Sequence, residues 1–535
     1  MHHPTSPRSS DLEVSPAWQA LAICLGFATL WTVATGLSHR SPDLDNLEEL
    51  VWASSWEWGY AKHPPLPTWL LYPVTMIIGK PVWLTFAMGQ LCVAAALLIV
   101  WRLFTEIANR TEPKLPSHVA RMAPLVALLA ASPIIYFSAG GTVYNHNTVQ
   151  LLPTAGMIWF YHRAWTKSGI ARWVAWIGVG VCVAFALLSK YSGVIQCAAL
   201  ALHFLWAGRW RNLQDWLGVA LSIFVASLIL FPHAMWLVEQ TQLGQGPIAY
   251  AQRSLASSSS YLKHLVAIAT FLLMQLGRLI PFIAVVWGIA LWRKRFSRND
   301  SAKNQADQTS QSVWSQIRSE DQGFLLIAGA GPLVLTVVIA TILQSRLSGY
   351  WAATFFLLFG AFAWTQLASR FPWKKLVVAV TLFQIVMAVG YGVARGPVAD
   401  HIGRDSRSTY PGRQLSERLQ ARWEENSQAT RGLPLTVVAG DMWTSGNVAI
   451  HGPDKGRQIQ VWIDADRSLA PWIEDKRLKQ PILVIASNSV AGADPVAPAV
   501  TAMLERAAVR GREDLPWTSR PGGPRVVVEW GIVTP

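Results

Sequence analysis

The residues best suited to chemistry stand together in the stretch 45–69, DNLEELVWASSWEWGYAKHPPLPTW. Asp45 follows the first apolar segment directly, next to a low-dielectric region where an ionised side chain is costly unless it is used or paired. A carboxylate placed there can take a proton from a hydroxyl group as a general base. The same residue also suits the N-cap of a helix, and the two roles are compatible.

A rigid turn follows the acidic segment. Lys62 and His63 precede two prolines, at 64 and 65, which restrict the backbone on both sides. We predict that the turn holds both cationic groups at the membrane surface, where they can bind a lipid phosphate. A lysine that only reaches toward the headgroups is the alternative. The segment 45–58 is predicted to be an amphipathic helix in the interface, with its tryptophans at headgroup depth.

Further polar residues stand at the ends of later apolar segments. Lys190 is the first choice for a phosphate ligand, because a charge at a helix end near lipid is costly without a partner. Arg346 is the second choice, since its guanidinium is planar and matches phosphate oxygens. Both residues also suit the simpler role of headgroup-seeking cations. Residues 144–147, Tyr-Asn-His-Asn, either line a sugar site or form a capping turn.

The composition predicts a multi-pass membrane protein. Of 535 residues, 52% are hydrophobic and only 14% are charged, well below the share of about a quarter in soluble domains. We predict about eleven membrane helices, within a range of about 11–13, between residues 17 and 395. The net charge of +14 lies mostly in short loops on one side, which indicates topology control rather than nucleic-acid binding.

The loops also predict orientation and domains. The basic loops predict that the N-terminus lies in the cytoplasm. The predicted location of the chain is the inner membrane of a bacterium. Residues 1–395 form the membrane domain, with a first outer loop at 39–81. Residues 396–535 contain short β-rich runs and one helical run, which predicts a small α/β domain in the periplasm. The four cysteines lie in apolar segments and are predicted to be core residues.

The first outer loop resembles that of the family 39 glycosyltransferases. This superfamily includes protein O-mannosyltransferases and bacterial enzymes that transfer aminoarabinose or similar sugars to lipid A. The shared features are an Asp after the first span, an acidic helix and a W-G-Y-x-x-x-P-P-L segment. The matching residues are Asp45, Glu48, Trp52, Trp58, Gly59, Tyr60, His63, Pro64, Pro65 and Leu66, with weaker matches around Tyr144, Lys190, Tyr191 and Arg346.

The resemblance implies a membrane-embedded transferase of the GT-C fold with a polyprenyl-phosphate sugar as donor. It assigns the general base to Asp45 and places Glu48, Tyr60 and Tyr191 in the substrate site. Two departures stand out, because many members have Asp-Glu where this chain has Asp45-Asn46. Many also have Asn-Ala-Asp where this chain has Asn145-His146-Asn147. We therefore predict no metal ligands, although the use of a divalent ion stays open.

Three alternatives remain at this level. The acceptor is a glycolipid, with lipid A favoured, or a protein. A lipid or sugar transporter would place ionisable residues near the middle of the bilayer, in broken helices paired across repeats. A non-catalytic scaffold would use residues 396–535 to recruit partners and would not depend on Asp45. The sequence identifies neither the sugar nor the oligomeric state.

Overall fold

The computed structural model describes residues 15–111, 117–136, 142–255, 261–296, 313–345, 347, 349–367, 373–487 and 495–534. Arg346, one of the predicted phosphate ligands, lies outside these ranges. Within them, seven helices are long and apolar enough to cross a membrane, by length and composition. Shorter apolar helices lie between the seven, so the predicted multi-pass helical architecture is confirmed and the exact number of spans stays a prediction.

The helices before the first long gap are numbered in chain order. They are α1 Pro16–Ser38, α2 Leu44–Trp52, α3 Leu66–Ile78, α4 Val82–Ala108, α5 Ser117–Ile135, α6 His146–Thr166, α7 Gly169–Ser189, α8 Gly193–Trp206, α9 Leu213–Gln242, α10 Gly246–Leu255, α11 Tyr261–Gly277 and α12 Ile280–Phe296. The longer helices that follow are Ser319–Leu343, Phe359–Leu367, Trp373–Val393, Gly412–Glu425, Met442–Ile450 and Pro498–Glu505, with a 3₁₀ segment at Gly349–Phe356.

A five-stranded mixed sheet forms the centre of the C-terminal unit. Its strands are β1 Val437–Gly440, β2 Gln460–Ile463, β3 Ile482–Ser487, β4 Val509–Pro516 and β5 Arg525–Val533. The strand order is β2-β1-β3-β5-β4, with β1 parallel to β2 and β3, and β5 antiparallel to both its neighbours. The predicted small α/β unit is therefore present. Strand β4 was missed, because charged residues alternate along it and hide its apolar positions.

The first outer loop differs from its prediction. Its acidic helix, α2, ends at Trp52 instead of residue 58, and a second helix, α3, follows the Pro-Pro turn. Residues 46–52 are all buried, including Trp52, whereas Trp56 and Trp58 after the helix are 50% and 46% exposed. The Trp52 ring stacks on Tyr60, with 5.1 Å between centroids. Leu47, Leu50 and Val51, which predicted an apolar face toward the interface, are instead buried against protein.

That protein is the C-terminal unit. Leu47, Leu50 and Val51 of α2 belong to the same buried cluster as the strands of the sheet, which is separate from the core between the long helices. Helix Met442–Ile450 packs directly on α2, and a Cβ on Gly446 would meet Leu47 Cγ at 3.0 Å and Val51 Cγ2 at 3.1 Å. The C-terminal unit therefore holds the helix that carries Asp45.

A second contact secures the far end of α3. The backbone N–H of Lys80 donates to the carbonyl of Lys455 at 2.9 Å. The Arg457 guanidinium donates to the carbonyl of Met76, in the last turn of α3, at 2.5 Å. These bonds satisfy donor and acceptor groups that a helix end leaves open. The two helices of the first outer loop are thus both fixed by the C-terminal unit.

Gly446→Val tests this packing. The new side chain has no room against Leu47 and Val51, so we expect a loss of about 1–3 kcal/mol in stability. The measurement is thermal unfolding followed by tryptophan fluorescence in detergent. Gly390→Ala is the matched control, because a Cβ there meets nothing within 4 Å. Equal melting temperatures for Gly446→Val and the unchanged protein would contradict the close approach of the two helices.

Charged residues also join the opposite ends of the long helices. Asp321, fully buried, accepts from Arg110 Nε at 3.1 Å and bonds to His162 Nε2 at 2.9 Å. Arg172 pairs with Asp215 at 2.6 Å. These pairs lie in the loops and helix ends that the sequence marks as basic, away from α2. These ion pairs hold the long helices together at the end away from α2.

Candidate active site at the start of helix α6

Asp45 is held by a residue far along the chain. It lies in the first turn of α2, and its Oδ2 accepts a hydrogen bond from Nδ2 of Asn145 at 2.7 Å. Asn145 also caps α6, because its Oδ1 accepts from the backbone N–H groups of Asn147 and Thr148 at 2.9 and 3.2 Å. Since capping uses the amide oxygen, the NH₂ group is left for Asp45. The predicted base and the predicted sugar segment therefore meet.

Lys190 joins the same helix start from the end of α7. Its Nζ donates to Oδ1 of Asn147 at 2.6 Å, and its backbone carbonyl accepts from Gln150 Nε2 at 2.9 Å. Burial lowers the pKa of Lys190 to about 7, and the nearby Asp45 carboxylate acts in the opposite direction. An ammonium in this setting is suited to an anionic ligand, because the anion would favour its charged form.

The Pro-Pro turn contributes Lys62 and His63. Lys62 Nζ forms an ion pair with Glu48 Oε1 at 2.7 Å. The ring of His63 lies 3.9 Å from the ring of His146 and 5.6 Å from that of Tyr250, between centroids. Burial, followed by the charges of Lys190 and Lys62, lowers the pKa of His63 to about 3, so this imidazole is neutral at pH 7.

A second buried carboxyl lies beside Glu48. Glu49 is 2% exposed, and its Oε2 accepts from Thr68 Oγ1 at 2.7 Å. Burial raises its pKa well above the ordinary value, and the neighbouring Glu48 and Asp45 raise it further. The pKa of Glu48 is also raised by burial, although Lys62 opposes this shift. The acids of α2 thus have different environments, and Asp45 is the one bonded to α6.

Asn46 explains one departure from the family pattern. Its side chain is fully buried, with Nδ2 donating to Thr85 Oγ1 at 3.0 Å. Its Oδ1 accepts the backbone N–H of Tyr144 at 3.0 Å. An ionised glutamate has no hydrogen to donate to Thr85. The amide therefore ties α2 to α4 and to the segment before α6, next to Asp45.

The hydroxyl groups of the three predicted tyrosines are all hydrogen-bonded within the protein. Tyr144 is fully buried and its hydroxyl donates to the Pro67 carbonyl at 2.6 Å. Tyr60 is 1% exposed and donates to the Ser55 carbonyl at 2.8 Å. Both hydroxyl groups are thus bonded within the loop, and a substrate contact of these two side chains stays a prediction. Tyr191 bonds through its hydroxyl to His233 Nε2 at 2.9 Å.

Sequence reasoning overlooked Arg278. It lies in the break between α11 and α12, within a segment predicted as one continuous span, and is 8% exposed. One of its NH groups donates to the Gly349 carbonyl at 2.6 Å. A single arginine in an apolar span is itself a signal of a functional or structural partner.

No set of three or more His, Cys, Asp or Glu side chains in the described ranges is arranged to hold a metal ion. The predicted site residues that do come together are Asp45, Glu48, Lys62, His63, Asn145, His146, Asn147 and Lys190.

Comparison with known proteins places this arrangement in a context. Residues 62–236 match the family described as dolichyl-phosphate-mannose-protein mannosyltransferase. The chain is similar to the lipopolysaccharide core galacturonosyltransferase RgtA of Rhizobium johnstonii, at 25% identity over 424 residues, 78% of this chain and 77% of the relative. It is 28% identical to the galacturonosyltransferase RgtB of the same organism over 229 residues, 41% of this chain and 42% of that one.

The structure resembles a solved protein along nearly its whole length. ArnT from Cupriavidus metallidurans, in a crystal structure bound to undecaprenyl phosphate, superposes with a TM-score of 0.59. The match covers 96% of this chain and 98% of that chain at 13% sequence identity. The apo state of the same protein gives a TM-score of 0.56 at 15% identity, over 96% and 97% of the two chains.

Proposed function

Because the chain is a membrane glycosyltransferase with the GT-C fold that resembles family 39, we propose that it transfers a sugar from a polyprenyl phosphate to lipid A or another lipopolysaccharide glycolipid. One observation carries the proposal: Asp45 and Lys190 are bonded to the start of the same helix, through Asn145 and Asn147. A base and a cation are thereby both held at the start of α6, by the two residues that flank His146 in the sequence. The reaction requires these two groups.

The chemistry is a single displacement. The acceptor hydroxyl gives its proton to Asp45 while its oxygen forms a bond to C1 of the sugar. The bond between C1 and the phosphate oxygen breaks, and its electron pair leaves with the polyprenyl phosphate. Lys190 stabilises the negative charge on that leaving group, with Lys62 and Arg346 as further phosphate ligands. The anomeric carbon is inverted, and no protein nucleophile is required.

The proposed location is the periplasmic face of the bacterial inner membrane, with the N-terminus in the cytoplasm. The division into a membrane domain, 1–395, and a C-terminal domain, 396–535, is part of the same proposal. Contacts between α2 and helix Met442–Ile450 suggest that the C-terminal domain supports the catalytic loop rather than acting alone. A donor whose tail is already in the bilayer loses little freedom on binding.

Relatives give the first substrates to test. RgtA and RgtB are named for galacturonate transfer to the lipopolysaccharide core, so a galacturonosyl donor and a core or lipid A acceptor come first. The bound lipid of the ArnT structure supports an undecaprenyl carrier. The description of the matched family gives the second candidate, a protein acceptor.

The test is mass spectrometry of envelope lipids from cells that lack the chain and cells that carry it. We expect a glycolipid heavier by one sugar in the carrying cells alone. A sugar found on a protein instead would select the second candidate. Movement of a lipid-linked sugar across the membrane with no new covalent product would support a transporter and overturn the proposal.

Asn145→Ser separates two roles of Asn145. A serine can still cap α6, but its shorter side chain cannot reach Asp45. We expect the melting temperature to change little and kcat to fall about tenfold, because the base is no longer oriented. Asn145→Ala, which also removes the cap, should lower both. Normal kcat in Asn145→Ser would show that the contact with Asp45 does not position the base.

A further inference from the structure

Two histidines lie in the site without a role in the displacement. His146 occupies the first position of α6, between Asn145, which holds Asp45, and Asn147, which holds Lys190. The His63 ring lies beside it in a tilted contact, with 3.9 Å between ring centroids. In a single displacement the sugar lies between the base and the leaving phosphate. Because His146 lies between the two holders in the sequence and is bonded to Asn147, its side chain is near the position that the sugar would occupy.

The hydrogen-bond pattern determines which ring nitrogen of His146 carries the hydrogen. The ammonium form of Lys190 has no lone pair and can only donate, so the atom of Asn147 that faces it at 2.6 Å is the amide oxygen. The amide nitrogen of Asn147 then faces His146 Nε2 at 3.1 Å and donates to it. A neutral imidazole that accepts at Nε2 carries its hydrogen on Nδ1. Lys190 thus orients the amide of Asn147, and this amide leaves His146 with a hydrogen on Nδ1. His146 can donate that hydrogen to a ligand.

This chain of donors suits an anion. Asn147 has a neutral side chain, whereas a carboxylate at this position would repel a negative ligand. The orientation of the Asn147 amide is set by the Lys190 ammonium. His63 adds a polar ring from the facing turn, and Lys62 adds an ammonium that is paired with Glu48. A sugar with only hydroxyl groups needs no such concentration of donors. A sugar with a carboxylate does, because a buried carboxylate is costly without hydrogen bonds.

We propose that His146, oriented by Asn147 and Lys190, binds a carboxylate on the donor sugar and selects a hexuronate over a neutral hexose. The inference rests on the proposed function and makes His146 a specificity-determining residue. The same donors could meet either of two anions, the sugar carboxylate or the phosphate ester, and the experiment separates them.

The experiment measures binding of two donors to the full chain in lipid nanodiscs. The probes are undecaprenyl-phosphate galacturonate and undecaprenyl-phosphate galactose, which differ only in the carboxylate or hydroxymethyl group on the ring. We expect the unchanged protein to bind the galacturonosyl donor about tenfold or more tightly, the effect of a hydrogen bond to a charged group. In His146→Leu the ratio of the two Kd values should fall close to one.

Asn147→Asp gives a second variant of the same size as the natural side chain. Its negative charge should weaken the galacturonosyl donor more than the galactosyl donor. His203→Leu is the control, since His203 bonds to Tyr161 and lies outside the site; the ratio should stay at its original value. Thermal unfolding of each variant shows whether it has folded.

The outcomes are distinct. Equal weakening of both donors by His146→Leu would assign the anion to the phosphate and overturn the carboxylate proposal. Equal affinities in the unchanged protein, or an unaltered ratio in His146→Leu, would also overturn it. If neither lipid-linked sugar binds and no envelope lipid changes with the chain, the proposed function itself has failed.

Discussion

Asp45→Asn is expected to lower kcat by about 10²–10⁴-fold, the usual contribution of a general base. The amide keeps the size of the side chain and can still bond to Asn145, so the loop should stay folded. It cannot accept the proton of the acceptor hydroxyl. Donor affinity should change much less than kcat, because the proton is transferred only in the reaction. The measurement is steady-state transfer by the purified chain, with donor binding measured separately.

Glu57→Gln is the matched control. Glu57 belongs to the same loop, and its Oε1 accepts from Ser55 Oγ at 2.7 Å within that loop. We expect it to keep normal transfer. In cells, Asp45→Asn should give the same lipid profile as the deletion, with the protein still present in the membrane. A full profile in cells that carry Asp45→Asn would remove Asp45 as the base and favour a scaffold or transporter.

The acidic loop shows what sequence alone can give. Asp45 was predicted from charge next to an apolar segment, and Lys190 from its position at a helix end. Their link through Asn145 and Asn147 joins residues about 100 and 43 positions apart. The spacing of apolar residues along the chain gives no information about contacts between residues so far apart in the sequence. The residue types predicted which groups belong to the candidate site. The tertiary packing determines which of these groups are in contact.

Burial explains how the same loop differs from its prediction. The apolar face of α2 has the pattern of a lipid-facing helix, but it packs on Gly446 and its neighbours. A hydrophobic stripe shows that a surface is covered without showing what covers it. Tyr60 was placed in the substrate site by the resemblance, and Tyr144 by its position in the polar segment 144–147 at the start of an apolar span. Their hydroxyl groups are bonded to backbone carbonyls inside the loop.

Lys190→Gln is expected to lower kcat/KM by about 10²–10³-fold, the effect of removing one preorganised donor from a developing negative charge. Glutamine can retain the contact with Asn147, so α6 and α7 should stay together. Lys167→Gln is the matched control, because Lys167 caps the other end of α6. A loss in both variants would indicate a general effect of charge on the membrane-bound protein.

The pH dependence of donor binding identifies the ammonium more directly. Burial lowers the pKa of Lys190 from 10.5 to about 7, so the charged form is lost as the pH rises through 7. A phosphate binds the charged form, and Kd should therefore rise about tenfold per pH unit above that value. The pKa of His63 is about 3, so His63 does not titrate in this window.

Two variants separate Lys190 from other groups in this profile. Lys190→Arg keeps its charge at every accessible pH, since a guanidinium is not deprotonated in proteins, and should flatten the curve while it preserves binding. In Lys190→Gln the Kd should also be independent of pH, but binding should be weak throughout. The pKa of Lys62 is raised through its pairing with Glu48, so Lys62 stays charged across the same range. A rise in Kd above pH 7 that persists in Lys190→Arg would move the titration to another residue and exclude Lys190 as its source.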